Sequence, residues 1–195
     1  MGLFFNPGNK NFSECRTENY IDKSGLITKV NATLGKEDRL SCVSRPRRFG
    51  KSIAANMVSA YYSRNSDAKR IFEGLSITNT ESFVDFAGKY DVIQLNMQDF
   101  LSASKTVAEM LSLLERSVLW DLLKEYPDFD YFDKTSIVRT LADVYQNTKR
   151  RFVIVIDEWD CVFRENKDDF KAQKTYLDFL KVLLKGKSYV ALTYM

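Results

Sequence analysis

The sequence predicts an α/β fold in which a mostly parallel β-sheet lies between two layers of helices. Four short apolar runs alternate with longer stretches of helical periodicity along the 195 residues. One of these runs, residues 152–156 (FVIVI), is typical of a strand that is buried on both faces, as in a parallel sheet. The predicted strands are residues 39–44, 91–97, 151–156 and 188–193.

The predicted helices follow from caps, stops and periodicity. Asp22 is a plausible N-cap for a short helix through Asn31, and a polar turn at residues 35–38 leads into the first strand. Pro127 stops a long amphipathic helix, and Gly186 ends a later one. The predicted helices are residues 22–31, 53–62, 68–72, 80–88, 106–126, 134–147 and 168–185. In the second of these, the core-facing residues are expected to be Ile53, Met57, Ala60 and Tyr61.

Composition limits the classes of function. With 45% hydrophobic residues the chain can bury one core, and a net charge of +3 is too mild to indicate nucleic acid or a membrane surface. No apolar run approaches ~18–20 residues. The odd number of cysteines, without metal spacing, suits a reducing cytosol, and Cys42 is expected to be a small core residue. The absence of histidine excludes Ser-His-Asp and Cys-His nucleophiles and His-ligated zinc.

A phosphate-binding motif follows the first predicted strand. Residues 44–52 (SRPRRFGKS) form a strand, tight loop and helix start, the layout of a P-loop or Walker A motif. Gly50 lets the backbone approach a ligand, Lys51 can contact the β- and γ-phosphates, and the Ser52 hydroxyl can bind Mg²⁺. The motif departs from the general pattern at its first glycine, which Arg45 replaces. The expected nucleotide-binding residues are Arg45, Pro46, Arg47, Arg48, Phe49, Gly50, Lys51, Ser52 and Ile53.

Two carboxylates follow the buried strand. Asp157 and Glu158 stand at its carboxyl end, where functional sites of open α/β sheets lie. Together with the P-loop they form a Walker A and Walker B pair, in which Asp157 would hold Mg²⁺ and Glu158 would orient the attacking water. The expected catalytic residues are therefore Glu158 and Lys51, and the expected metal ligands are Ser52 and Asp157.

A glutamate directly after the Walker B aspartate points to one branch of the P-loop NTPases. These are three-layer sandwiches that typically hydrolyse ATP and have sheet order 5-1-4-3-2. We expect residues 1–38 to be an entry segment and residues 39–195 to be the ATPase core, truncated at its C-terminal end with the last strand missing. Thr193 is then the candidate for a polar sensor residue, and this piece alone is expected to be a weak ATPase.

The chain also resembles the AAA-ATPase-like family over about residues 11–195. The resemblance rests on residues 19–24 (NYIDKS), 44–52 (SRPRRFGKS) and 154–160 (IVIDEWD), which occur here in the family's order. The family itself carries arginine at the first glycine position of the motif, and Trp159 replaces its common tyrosine. The resemblance implies ATP or ADP as the ligand. Members often continue into a PD-(D/E)XK nuclease-like domain, which the sequence does not contain, so that domain or self-association is the partner the family suggests.

Three functional readings follow. The first is a Mg²⁺-dependent cytoplasmic ATPase that drives an attached or partner module, with no membrane partner. The second is a module that senses ATP or ADP with negligible turnover. The third is a nucleic-acid scaffold, supported by charge alone, that would use Arg45, Arg47, Arg48, Lys149, Arg150 and Arg151. Arg47 and Arg48 could contact phosphates or a neighbouring subunit, or be solvated.

Overall fold

Within the described residues, the protein is built on a four-stranded β-sheet whose strands are all parallel, in the order β1-β4-β3-β2. The computed structural model describes residues 2–16, 20–43 and 50–195. The strands are β1 (Leu40–Ser41), β2 (Asp91–Asn96), β3 (Phe152–Asp157) and β4 (Val190–Tyr194). The predicted α/β fold with a parallel sheet is thus confirmed, whereas the full order 5-1-4-3-2 stays a prediction.

In the described part of the chain, four helices of 12 or more residues and several short ones flank the sheet. The helices that precede β2 in the sequence form the first group. They are α1 (Lys10–Cys15), α2 (Gly25–Asn31), α3 (Lys51–Tyr62), α4 (Ala68–Ile71), a 3-10 helix (Ser76–Asn79) and α5 (Glu81–Phe86). The second group consists of α6 (Met97–Ser102), α7 (Val107–Glu125), α8 (Ile137–Thr148), α9 (Cys161–Glu165) and α10 (Phe170–Leu184).

Alternation along the strands produces two apolar layers. On β2 and β3, Val92, Val153 and Val155 face a cluster that contains α1 to α5. Their neighbours Ile93 and Ile154 face the opposite cluster, which contains α6 to α10. Successive strand side chains point to opposite faces, so an uninterrupted apolar run fills both layers. Helices therefore cover both faces of the sheet, as in a three-layer sandwich.

The N-terminal residues join the sheet at its β2 edge. Phe5 forms an antiparallel bridge with Ile93, and the Asn6 backbone N–H donates to the Val92 carbonyl at 2.7 Å. The Gln94 N–H donates to the Phe4 carbonyl at 2.9 Å. These bonds satisfy backbone groups that a sheet edge would otherwise present to solvent.

Several local predictions were wrong. Cys42 is exposed rather than buried, because it follows the two-residue β1 at the edge of the four-stranded sheet. Ile53 is 38% exposed, although the other three residues of the predicted stripe are buried. The helix expected from Asp22 begins at Gly25, since the Asp22 carboxylate accepts from the backbone N–H groups of Ser24 and Ser76 instead. Helices α1, α6 and α9 were not predicted.

A buried carboxylate fixes the amino end of β2. Asp91 is fully buried, and its Oδ1 accepts from Asn6 Nδ2 at 2.7 Å and from Arg64 Nε. Its Oδ2 accepts from the Tyr126 hydroxyl at 2.6 Å. Arg64 also donates to Glu125. One carboxylate therefore joins the N-terminal segment, the loop after α3 and the end of α7.

The charges of this network perturb its own partners. Burial alone would lower the pKa of Arg64, but the hydrogen bond and the charge of Asp91 outweigh it and raise that pKa above its usual value. Burial, followed by the hydrogen bond to Asp91, raises the pKa of Tyr126 to about 12. Both groups thus keep the protonation state that donates to Asp91.

Replacing Asp91 should destabilise the fold strongly. Asp91→Ala leaves the Arg64 guanidinium without its buried partner, and removing one member of a buried ion pair typically costs about 3–5 kcal/mol. The free energy of unfolding, measured by urea denaturation, should fall by that amount. Asp128→Ala, at an exposed carboxylate, is the matched control and should change it by less than about 0.5 kcal/mol. Equal losses in the two variants would contradict the role of Asp91.

Stability should also fall at alkaline pH. Burial raises the pKa values of Tyr61, Tyr126 and Tyr131 to about 12, whereas an unfolded tyrosine titrates near ~10. Above ~10 the unfolded chain holds fewer protons than the native chain, so stability declines as the pH rises. The contribution of these three tyrosines to the free energy of unfolding is fully present below pH ~10 and is lost as the pH rises through about 12.

Urea denaturation at a series of pH values from about 9 to about 12 measures this decline. Tyr131→Phe removes one of the three phenols, so it should make the decline shallower than in the wild type. A free energy of unfolding that does not change across this range would show that the phenols are not protected by burial.

Candidate functional site

The candidate site lies at the carboxyl edge of the sheet. In the parallel register of β2 and β3, Asn96 pairs with Asp157, so both strands end at the same level. Helix α3 begins at Lys51, and its first turn faces this edge. Crevices at the carboxyl ends of parallel strands are the usual place for ligands in open α/β sheets.

Gly50 shapes the start of α3. It is the N-cap residue and has φ 74°, in the left-handed region where a side chain is strained. A Cβ at this position would also lie 3.4 Å from Lys23 Nζ. The glycine therefore permits the turn, and the ammonium group of Lys23 lies close to it. The N-terminus of α3 and the nearby ammonium group of Lys23 both favour the binding of an anion near Gly50.

A cleft of about 420 Å³ opens beside the start of α3. Among the described residues its lining comprises Gly50, Lys51, Ser52, Ile53, Gln98, Glu158 and Arg164. The exposure of Ile53 is explained by its place at this cleft rather than in the core. The fold thus brings the Gly-Lys-Ser segment and Glu158 together, although more than a hundred residues separate them in sequence.

Asp157 lies at the same edge of the sheet, but it lines two spaces that adjoin this cleft. It lines a neighbouring cleft of about 700 Å³ that also includes Ser52, and a small cavity of about 20 Å³ that includes Lys51 and Glu158. A hydroxyl and a carboxylate oxygen are donors of the kind that Mg²⁺ prefers. In the described ranges, no group of three His, Cys, Asp or Glu side chains could hold a metal ion. Ser52 and Asp157 would therefore need phosphate oxygens and waters to complete a magnesium shell.

Glu158 is held by its backbone and by an arginine. Its φ is 51°, left-handed for a residue with a side chain, and its N–H donates to Asp157 Oδ1 at 3.0 Å. Its Oε2 accepts from Arg164 Nη2 at 2.5 Å. Burial alone would lower the pKa of Arg164, but the hydrogen bond to Glu158 and the charges of Asp160 and Glu158 raise it. Arg164 is thus a permanent cation at the edge of the cleft.

Not every predicted site residue can be placed. Arg45, Pro46, Arg47, Arg48 and Phe49 lie outside the described residues. Thr193, the candidate sensor, is fully buried in β4 and is not among the residues that line these three spaces. Its hydroxyl has no hydrogen-bond partner in the part of the chain that the structure describes.

Sequence reasoning missed two residues of the cleft, Gln98 and Arg164. Gln98 follows the end of β2 by two residues, and the edge rule used for Asp157 applies equally to β2. Arg164 gave no comparable signal. It reaches the cleft because the turn after β3 and the short α9 fold back over the sheet edge.

Across residues 2–16, 20–43 and 50–195, none of the helices combines the length and the apolar character needed to cross a membrane.

Comparison with known protein families gave one finding. A family model for the AAA-ATPase-like family, described as "Predicted AAA-ATPase", matches residues 7–192, nearly the whole chain. Comparisons with curated proteins and with solved structures gave no match.

Proposed function

We propose that this chain, which belongs to the AAA-ATPase-like family of predicted AAA-ATPases, is a Mg²⁺-dependent ATP-hydrolysing core that drives an attached or partner module. The observation that supports it most is the shared cleft. The start of α3, with Lys51 and Ser52, faces the carboxylate of Glu158 across a space of about 420 Å³. A cytoplasmic location agrees with three free cysteines, Cys15, Cys42 and Cys161.

The phosphates of ATP would lie against the start of α3. The first-turn N–H groups have no partner within the helix, and the helix dipole favours negative charge there. Lys51 would contact the β- and γ-phosphates as a point charge. Mg²⁺, held by Ser52 and Asp157 with phosphate oxygens, would neutralise charge that develops on the transferred group.

Glu158 would act on the water that attacks the γ-phosphorus. The water oxygen forms a bond to phosphorus, and the bond between phosphorus and the β,γ-bridging oxygen breaks, so that ADP leaves with that electron pair. Glu158 accepts the proton of the water and passes it to solvent. Glu158 directly follows the buried strand β3, so the sheet fixes the position of its backbone at the edge where the phosphates would lie.

Lys51 should be required for nucleotide binding. Lys51→Ala should weaken ATP affinity by about 1.5–3 kcal/mol, the usual contribution of a charge-assisted hydrogen bond. Isothermal titration with ATP, ADP and GTP in the presence of Mg²⁺ measures this loss. Lys69→Ala, at an exposed lysine on α4, is the matched control and should bind ATP like the wild type. Equal affinities of wild type and Lys51→Ala would remove the P-loop assignment.

The two carboxylates should fail in different ways. Asp157→Asn should lower Mg²⁺-dependent ATP affinity, because it weakens a ligand of the ion. Glu158→Gln should leave binding nearly intact and slow turnover by ~10²–10⁴, the range for loss of a general base. Single-turnover assays that follow bound ATP and ADP separate the two outcomes.

Glu37→Gln, at an exposed glutamate in the turn before β1, is the control for these assays and should turn over like the wild type. If Glu158→Gln and the wild type hydrolyse ATP at the same slow rate, the glutamate is not catalytic. The chain is then better described as a module that senses nucleotide with negligible turnover.

A further inference from the structure

Arg164, on α9, contacts the carboxylate of Glu158 that is proposed to act on water. Its Nη2 lies 2.5 Å from Glu158 Oε2 and 3.2 Å from Gln98 Oε1. Its Nε lies 3.7 Å from Asp160 Oδ1. The side chains of Arg164 and Glu158 are each 27% exposed, so solvent screens this ion pair less than it would an open surface pair.

The Arg164 guanidinium is also held by Gln98, whose own position is fixed by several hydrogen bonds. Gln98, on α6, donates from Nε2 to Glu165 Oε1 at 2.7 Å and to Ser102 Oγ at 3.2 Å. The backbone N–H of Gln98 donates to Asn96 Oδ1 at 3.0 Å, which fixes the start of α6 at the end of β2. A chain of hydrogen bonds therefore runs from the end of β2 through Gln98 and Arg164 to Glu158.

This series of hydrogen bonds ends at one oxygen of the Glu158 carboxylate. Oε2 is occupied by Arg164, whereas Oε1 has no hydrogen bond from the described residues. Because the same Arg164 nitrogen also contacts Gln98 Oε1, the position of the donor is fixed, and the bond to it limits rotation of the carboxylate. Glu158 also has a left-handed φ, a strained backbone conformation of the kind that clusters at functional sites.

We propose that Arg164 is a positioning residue, which together with Gln98 orients the Glu158 carboxylate toward the phosphate cleft. This role rests on the proposed ATPase function and specifies it further. Arg164 acts through Glu158, so its loss should alter the rate of hydrolysis and leave the binding of ATP unchanged.

Three variants test the role by steady-state kinetics and by ATP titration. Arg164→Ala should lower kcat roughly 10- to 100-fold with KM and ATP affinity unchanged, as misplacing a reacting group commonly does. Arg164→Lys should recover part of kcat, because an ammonium can pair with Glu158 but sits on a flexible stem that orients the carboxylate less firmly than a planar guanidinium. Gln98→Ala should lower kcat less than Arg164→Ala, since it removes only the second anchor.

Arg116→Ala, at an exposed arginine on α7, is the matched control and should match the wild type. Thermal unfolding of each variant shows whether it is folded, and Gln98→Ala carries the test if Arg164→Ala is not.

A double-mutant cycle separates positioning from direct contact with phosphate. In a Glu158→Gln background, Arg164→Ala should have little further effect on kcat, because the group it orients has already been lost. If the two losses multiply, or if Arg164→Ala weakens ATP binding instead of kcat, Arg164 contacts the nucleotide and the proposal is overturned. It is also overturned if Arg164→Ala hydrolyses ATP like the wild type. If the wild type binds ATP but does not hydrolyse it, the proposed ATPase function fails, and the positioning role fails with it.

Discussion

Asp91 and Asn96 lie at the two ends of β2, and all six residues of β2 pair with β3 in one parallel register. Contacts that fix the position of β2 at its amino end therefore also fix where its carboxyl end lies relative to β3. At the amino end, the buried Asp91 carboxylate joins the N-terminal segment, Arg64 and Tyr126. At the carboxyl end, Asn96 lies level with Asp157 and caps α6. A slip of one residue would turn the apolar side chains of both strands to the wrong layers and would move the candidate site with them.

The two ends of the sheet use charge differently. At the amino end a fully buried carboxylate is matched by donors on three segments, so its main effect is to permit a single arrangement of those segments. A buried ion pair adds little net stability, because desolvation offsets most of the attraction, but it penalises any arrangement that separates its members. At the carboxyl end the charged groups are only half-buried, and they face open clefts that can admit a ligand.

Among the described residues, the lining of the cleft at the carboxyl edge combines two cationic side chains with one carboxylate. Lys51 and Arg164 lie on its lining with Glu158, and Lys23 approaches Gly50 beside it. These cations come from different segments: the entry segment, the start of α3 and α9. A polyanion such as a nucleoside triphosphate suits the ammonium groups of Lys51 and Lys23, whereas the Arg164 guanidinium is already paired with Glu158.

The sequence by itself determined the class of fold and the position of the candidate site. An unbroken apolar run such as residues 152–156 is typical of a strand buried on both faces, and a Gly-Lys-Ser segment and an Asp-Glu pair that follow parallel strands lie at the same edge of the sheet. Tertiary structure alone decided the exposure of Cys42, the antiparallel pairing of Phe5 and the contact of Arg164 with Glu158. These depend on which strand forms an edge and on how a short helix folds back. The edge strand and the course of the short helix both depend on packing between segments that are distant in sequence, and local periodicity does not predict such packing.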